Sequence, residues 1–346
     1  MPDRVSHRTN GSGLQAASLP PASHQTTLAR RVHCRGTGLH SGKEISLSLQ
    51  PAPAGSGIRF QRTDLPHKPA FRLGAENIVN TTLATVAAHP TNPTCRISTI
   101  EHLLGALHAL EIDNLLIQVD GPELPVLDGC AEAFVFLLQC AGVTQLEAMR
   151  NRMEILQPIE VSKDGASARL APLSVEEQAS PGLYLDLSIA FPQSVIGRQS
   201  WSMQLNAQSF RQDIARARTF VAFEDIAALQ AQGLARGGSL QNAVVVQDTQ
   251  VLNPEGTRGK DEFVRHKVLD AIGDLYCNGL QIIGHFSGCR SGHALHNRLL
   301  RALMATPEAW RLLPAGAAST PEIKQGNALL PLRRLHDIRH LWSAVS

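Results

Sequence analysis

The sequence predicts an α+β fold of two similarly built domains, each a β-sheet with a helix–strand–helix layer, and three observations carry that expectation. Short segments of period-two alternation, such as Ile45-Ser46-Leu47-Ser48-Leu49, sit between turn-rich stretches and read as half-buried strands. Two stretches, 98–110 and 261–276, switch to helical spacing, and each is followed by a strand and another helix. Overlaying the halves without a gap pairs His102 with His266, Asn114 with Asn278 and Leu116 with Leu280. The identities are few, but the shared element order makes a duplicated domain the better account. The equivalent helices then face each other across a pseudo-twofold axis and each delivers a histidine to the junction, where ligand sites are favoured.

Residues 1–26 are rich in Ser, Thr, Pro, Gly and His and lack the apolar core of a secretory signal; they read as a disordered tail, or as the product of a start codon placed too early. The first domain is placed at 27–147. It holds the strand at 45–49, a Pro/Ala/Gly turn at 51–57 and a strand around Ile58-Arg59-Phe60. The helix at 98–110 follows, with Ser98 and Glu101 fitting a capping box, then a strand at 114–119 and a helix at 131–141. The second domain, 153–310, has strands at 159–161, 183–189 and 243–246, the helix at 261–276, a strand at 280–285 and a helix at 292–304. An insertion at about 220–242 carries Phe220, Phe223, Ile226, Leu229 and Leu234 with few charges. It is either an amphipathic helix packed on the core or an apolar passage for a lipid chain. The tail at 311–346 is Pro/Ala-rich and then basic over 333–340, which suits a frayed helix or a peripheral membrane contact.

A chain of 346 residues accommodates two such domains, and 43% hydrophobic with 18% charged residues is ordinary for a globular protein. A net charge of +2 and 4% aromatics argue against nucleic-acid binding by massed positive charge or base stacking. The six cysteines form no C-x-x-C pair and suit reduced cytoplasmic thiols. No run approaches the 18 or so apolar residues of a transmembrane helix.

The chemistry concentrates in Val264-Arg265-His266-Lys267-Val268-Leu269-Asp270, where helical spacing puts His266 and Asp270 one turn apart on one face. An imidazole and a carboxylate so placed can chelate a divalent ion, with zinc favoured by the mixed donors and ferrous iron also accepted. A third ligand must come from elsewhere. His102 is the best candidate, because Glu101 beside it supplies a carboxylate suited to a general base. Three protein ligands, an open position and a base make a catalytic arrangement, not a structural one.

Five stretches in series then become familiar: 37–43 (TGLHSGK), 97–103 (ISTIEHL), 217–220 (ARTF), 261–274 (DEFVRHKVLDAIGD) and 291–297 (SGHALHN). Together they resemble the LpxC family, zinc-dependent UDP-3-O-acyl-N-acetylglucosamine deacetylases of lipid A synthesis, over about residues 27–310. The resemblance implies His102, His266 and Asp270 as zinc ligands, Glu101 as general base and His293 as general acid. It implies Thr219 as an oxyanion donor, and Lys267 and Asp274 as supporting groups, with Asp274 keeping His293 protonated. Leu39, Thr82, Phe220 and Arg290 become substrate contacts, and the insertion after Thr219 holds the acyl chain. It further implies one zinc per chain, a UDP-sugar acyl substrate, a cytoplasmic location and a monomer. Asn80-Thr81-Thr82-Leu83 departs from an Asp-Thr pair expected in many members, and Arg290 from a common lysine, though a guanidinium also suits a diphosphate.

Two other classes stay open at this point. A metallopeptidase or another zinc amidohydrolase would use the same triad but predicts a peptide groove where the family has an apolar passage. A non-catalytic protein with a structural zinc is disfavoured by the three-ligand set and the adjacent carboxylate.

Overall fold

Two sheets of one strand order carry the molecule, which we describe from a computed structural model over residues 23–313. The tail segments 1–22 and 314–346, with the basic run at 333–340, lie outside the described residues. Strands β1 (Val32–Thr37), β2 (Glu44–Pro51), β3 (Ile58–Arg62), β4 (Ala70–Arg72) and β5 (Leu115–Val119) line up as β1-β2-β5-β3-β4. Only the β3–β5 pair in this sheet is parallel. Strands β6 (Ile159–Lys163), β7 (Ala166–Ala171), β8 (Leu183–Ala190), β9 (Arg198–Gln204) and β10 (Gln281–Cys289) repeat the order as β6-β7-β10-β8-β9, again with one parallel pair, β8–β10, among these five. The duplication expected from a handful of identities is therefore a duplication of topology.

The longer helices are α1 (Glu101–Ala109), α2 (Glu132–Ala141), α3 (Phe223–Ala231), α4 (Glu262–Leu275) and α5 (His293–Met304). In each half a helix precedes the central strand and another follows it: α1, β5, α2 and then α4, β10, α5. Between its fourth strand and that helix each half makes an excursion. In the first half this is an antiparallel sheet of Ile78–Asn80, Val86–His89 and Asn92–Ile97. In the second half, Phe220–Ala222 leads into α3 and returns as Val244–Gln247, parallel to it, with Gln250–Val251 added.

The second excursion corrects the sequence reading. The strand expected at 243–246 belongs to the inserted β-α-β unit and not to the main sheet. Its consecutive residues Val244, Val245 and Val246 are all buried, as befits a strand covered on both faces. Ordered structure also reaches past the expected domain bounds at both ends. Strand His24–Leu28 pairs with Val143–Met149, and Thr26 N–H donates to Asp113 Oδ2 at 2.7 Å, so residues 24–26 are ordered. Trp310–Leu313 pairs antiparallel with Arg152–Ile155 and carries order past 310. The capping box at Ser98 and Glu101 does not form: Ile100 is the N-cap, Ser98 Oγ donates to Pro122 O, and the Glu101 carboxylate is engaged elsewhere. No helix among the described residues is long and apolar enough to cross a membrane.

The two equivalent helices pack on each other. All of α1 is buried, and so is all of α4 except Arg265 and Lys267. Such wrapping suits helices at the centre of a structure. Glycines set the approach. A methyl group on Gly273 would overlap the Glu101 carbonyl oxygen, whereas one on Gly105 would meet Leu269 Cδ1 at 2.9 Å, the end of a movable side chain. Further along, His108 Nδ1 donates to Ile272 O at 3.0 Å, and the His108 ring stacks on Tyr276 at 4.6 Å. Gly273→Ala should therefore cost about 2–3 kcal/mol or more in urea unfolding, by forcing backbones apart, and Gly105→Ala clearly less. Equal midpoints for both variants would show that the crossing has slack.

Candidate active site

The crossing of α1 and α4 brings His102, His266 and Asp270 together. His102 Nε2 lies 3.5 Å and His266 Nε2 3.4 Å from Asp270 Oδ1, and one donor atom of each residue falls within 4.8 Å of the other two. The rings meet edge to face with centroids 5.0 Å apart. His266 Nδ1 donates to the Ala217 carbonyl at 3.1 Å, which fixes the tautomer and leaves Nε2 as a lone-pair donor toward the cluster. Burial pushes the His266 imidazole down to about 4 against the attraction of Asp270, so it stays neutral. Burial opposes the Asp270 anion, yet Lys267, His266 and His102 hold its carboxyl well below the usual range. Lys267 Nζ donates to Asp270 Oδ2 at 2.9 Å, leaving Oδ1 toward the histidines. Two imidazole nitrogens and a carboxylate oxygen, with an open side, fit a divalent cation of the zinc type.

Beside the trio stand a carboxylate and an imidazole facing each other. His293, the first residue of α5, has Nε2 3.9 Å from Glu101 Oε1 and 3.9 Å from Asp270 Oδ2. Its Nδ1 donates to Asp274 Oδ2 at 2.7 Å, and His296 Nδ1 donates to the same oxygen at 2.8 Å. Burial disfavours the His293 cation, but Asp274, Asp270 and Glu101 outweigh it and lift the imidazolium to about 9. Burial pushes the Glu101 carboxyl up, partly countered by His293 and His102. An imidazolium and a carboxyl group facing each other in this way have the chemistry of a proton donor and a proton acceptor.

The segment 217–219 ties these parts together. Arg218, 2% exposed, donates through its main-chain N and Nε to Glu262 Oε1, in the first turn of α4. Its neighbours are Ala217, whose carbonyl holds His266, and Thr219, which faces the cavity. Backbone strain gathers here as well: Leu83, Thr99 and Arg290 all line the cavity with φ of 64°, 58° and 53°, a region costly for non-glycine residues.

Of the residues singled out in the sequence, Leu39, Glu101, His102, Thr219, Phe220, His266, Lys267, Asp270, Arg290 and His293 line one cavity of about 560 Å³. Asp274 lies behind His293. Thr82 does not reach the cavity; it is exposed, its N–H bound to Asn80 Oδ1, and Thr81 and Leu83 line the wall instead. An adjoining cavity of about 380 Å³ is lined by Phe220, Val221, Phe223, Ile226 and Leu229 and shares Leu39, His40, Leu83, Thr219 and Phe220 with the first. Leu234 is not part of its lining; Ala235 and Leu240 are.

Sequence reasoning missed His40, Lys163 and Asp164 on the cavity wall, and Thr85, His296 and Ser291 around Asp274. His296 sits three residues after His293 on α5, a one-turn spacing that signals a shared face. Thr85 carries no such signal.

With this geometry in view, comparison with known proteins is direct. The family model of LpxC, UDP-3-O-acyl N-acetylglycosamine deacetylase, matches residues 25–305. The UDP-3-O-acyl-N-acetylglucosamine deacetylases of Shewanella frigidimarina and Pasteurella multocida are each 44% identical over 291 residues, covering 84% of this chain and 92% of theirs. That of an Anaeromyxobacter species is 44% identical over 292 residues, 84% of this chain and 91% of its own.

Proposed function

Because the chain belongs to the LpxC family of UDP-3-O-acyl-N-acetylglucosamine deacetylases, we propose that it removes the acetyl group of UDP-3-O-(3-hydroxyacyl)-N-acetylglucosamine. The products are the free amine and acetate, in the service of lipid A synthesis. The observation that carries this reading is an acid and base pair, Glu101 and His293, facing each other beside a three-donor metal trio at the mouth of an apolar cavity. A peptidase groove would lack that cavity. The enzyme works as a cytoplasmic monomer with one zinc per chain, and ferrous iron suits the same donors.

His102, His266 and Asp270 would hold a zinc ion, which when bound would supply Lewis-acid polarisation of the acetyl carbonyl and of the attacking water. The chain's own groups do the rest. Glu101, fixed at one carboxylate oxygen, takes the water's proton at the other. Thr219 offers its hydroxyl to the carbonyl oxygen as negative charge develops there. His293 passes the proton on Nε2 to the departing amine, and Asp274 stabilises the cation until then. Lys267 and Arg290 meet the diphosphate, and the α3 cavity takes the acyl chain.

Elemental analysis should find one divalent ion per purified chain, and His266→Ala should lose ion and activity together. Full occupancy in that variant would remove His266 from the ligand set. Glu101→Gln should fold, keep its metal and lose at least about 100-fold in turnover, since proton transfer is worth that much. The working form of His293 is the cation, present below its raised pKa and lost as pH rises through it. Turnover should therefore fall on the basic side, and His293→Gln should abolish that limb.

Each buried methylene of an acyl chain contributes roughly 0.8 kcal/mol, less the cost of ordering it. Removing the chain from the substrate should lower kcat/KM by orders of magnitude, and Phe220→Glu should do the same without releasing metal. Equal turnover of the deacylated UDP-sugar would make a general amidohydrolase the better description.

A further inference from the structure

We propose that Thr85 is a positioning residue that sets the proton donor and the proton acceptor relative to each other. The proposal rests on the deacetylase reading and extends it to a residue that touches no reacting atom.

Thr85 is 2% exposed and precedes the strand Val86–His89 of the inserted sheet in the first half. Its main-chain N–H donates to Glu101 Oε2 at 3.0 Å. Its hydroxyl donates to Asp274 Oδ1 at 2.5 Å and lies 3.3 Å from His293 Nδ1. A threonine hydroxyl has one proton, and an ionised carboxylate only accepts, so that proton goes to Asp274. Asp274 Oδ2 is then left to receive His293 Nδ1 and His296 Nδ1. One residue thus fixes Oε2 of the base, turning Oε1 toward His293, and fixes the carboxylate that aims His293 back at it.

The alternative suppliers of this geometry are weaker. Glu101 and Asp274 sit on different helices, and α5, which carries His293, is a third element. Without the hydroxyl, Asp274 loses its hydrogen bond at Oδ1 and depends for its orientation on the His293 and His296 contacts at Oδ2, so the ring it should aim is part of what holds it. Small misplacements of paired groups are expensive in rate, because the near-attack geometry is lost while substrate binding is not. The strained φ of 64° at Leu83, two residues earlier, is consistent with a turn held in place to deliver Thr85.

The test compares wild type with Thr85→Val, which keeps the shape and the main-chain N–H, and with Thr85→Ser, which restores the hydroxyl. Assayed on the acylated UDP-sugar, Thr85→Val should lose about 10- to 100-fold in kcat, with KM within about threefold and metal content unchanged. Thr85→Ser should recover to within about threefold of wild type, and Thr85→Val should add nothing in an Asp274→Asn background. Proton NMR gives a readout independent of turnover. The downfield imidazole N–H resonances bonded to Asp274 should move in Thr85→Val and return in Thr85→Ser. Unchanged resonances, unchanged kcat in Thr85→Val, or a Thr85→Ser variant as slow as Thr85→Val would each overturn the role of Thr85. If Thr85→Val does not fold, the comparison of Thr85→Ser with Thr85→Ala decides by the same criteria. A wild-type protein inactive on this substrate would instead sink the deacetylase reading, and the resonances would still decide whether Thr85 positions the pair.

Discussion

The close approach of two helices, with no side chain on Gly273 to hold them apart, is the constraint on which the site depends. α1 brings Glu101 and His102; α4 brings His266, Lys267, Asp270 and Asp274. Every one of these groups carries or can carry charge, and all but Lys267 are almost wholly buried. Ionised groups at such depth survive only in mutual company, because desolvation of each alone would outweigh any single pairing. The helices must therefore meet at a separation that lets all the partners reach one another. Rigid elements suit this task better than loops, since a site a fraction of an ångström too wide loses both metal affinity and proton transfer.

Much of this was legible in the sequence. His266 and Asp270 share a face by helical arithmetic, and His102 is reached through the carboxylate beside it and through the overlay that pairs it with His266. The shared succession of helix, strand and helix in the two halves was legible in the same overlay, whereas the strand order of the sheets was not. Other features lay beyond local pattern. Ser98 and Glu101 look like a cap, but Thr99 in the left-handed region turns the chain before α1, and the carboxylate is drawn to Thr85. Thr81 and Thr82 are adjacent and chemically identical; which one faces the cavity is decided by an Asn80 turn. Thr85 and Asp274 meet across 189 positions, through an inserted sheet whose docking no periodicity encodes. The inserted β-α-β unit was half legible: its apolar residues stand out in the sequence, while its return strand at 243–246 reads as lying just beyond the insertion.

The excursions share a logic with the helices. Each half inserts its extra structure at the same step of the topology, after the fourth strand and before the central helix. One insert brings Thr85 to Glu101 and Asp274; the other begins at Phe220 and walls the apolar cavity. Variation in these two places changes what surrounds the site while the helix crossing keeps its geometry, which is how loops on a rigid scaffold commonly diversify function.

The duplication has one more implication. In the gapless overlay His102 and His266 correspond, but Asp270 falls opposite Ala106 and Glu101 opposite Arg265. Two separate identical chains related by a true twofold axis would repeat every group on both sides of it. Such a pair would offer two histidines and then two copies of whichever third residue it chose, with no means of making one flank a base and the other an acid. Joining the halves in a single polypeptide releases each copy to mutate alone. The inherited symmetry supplies the paired imidazoles, and its local breaking sets unlike groups around them, Glu101 beside one and Asp270 one turn from the other.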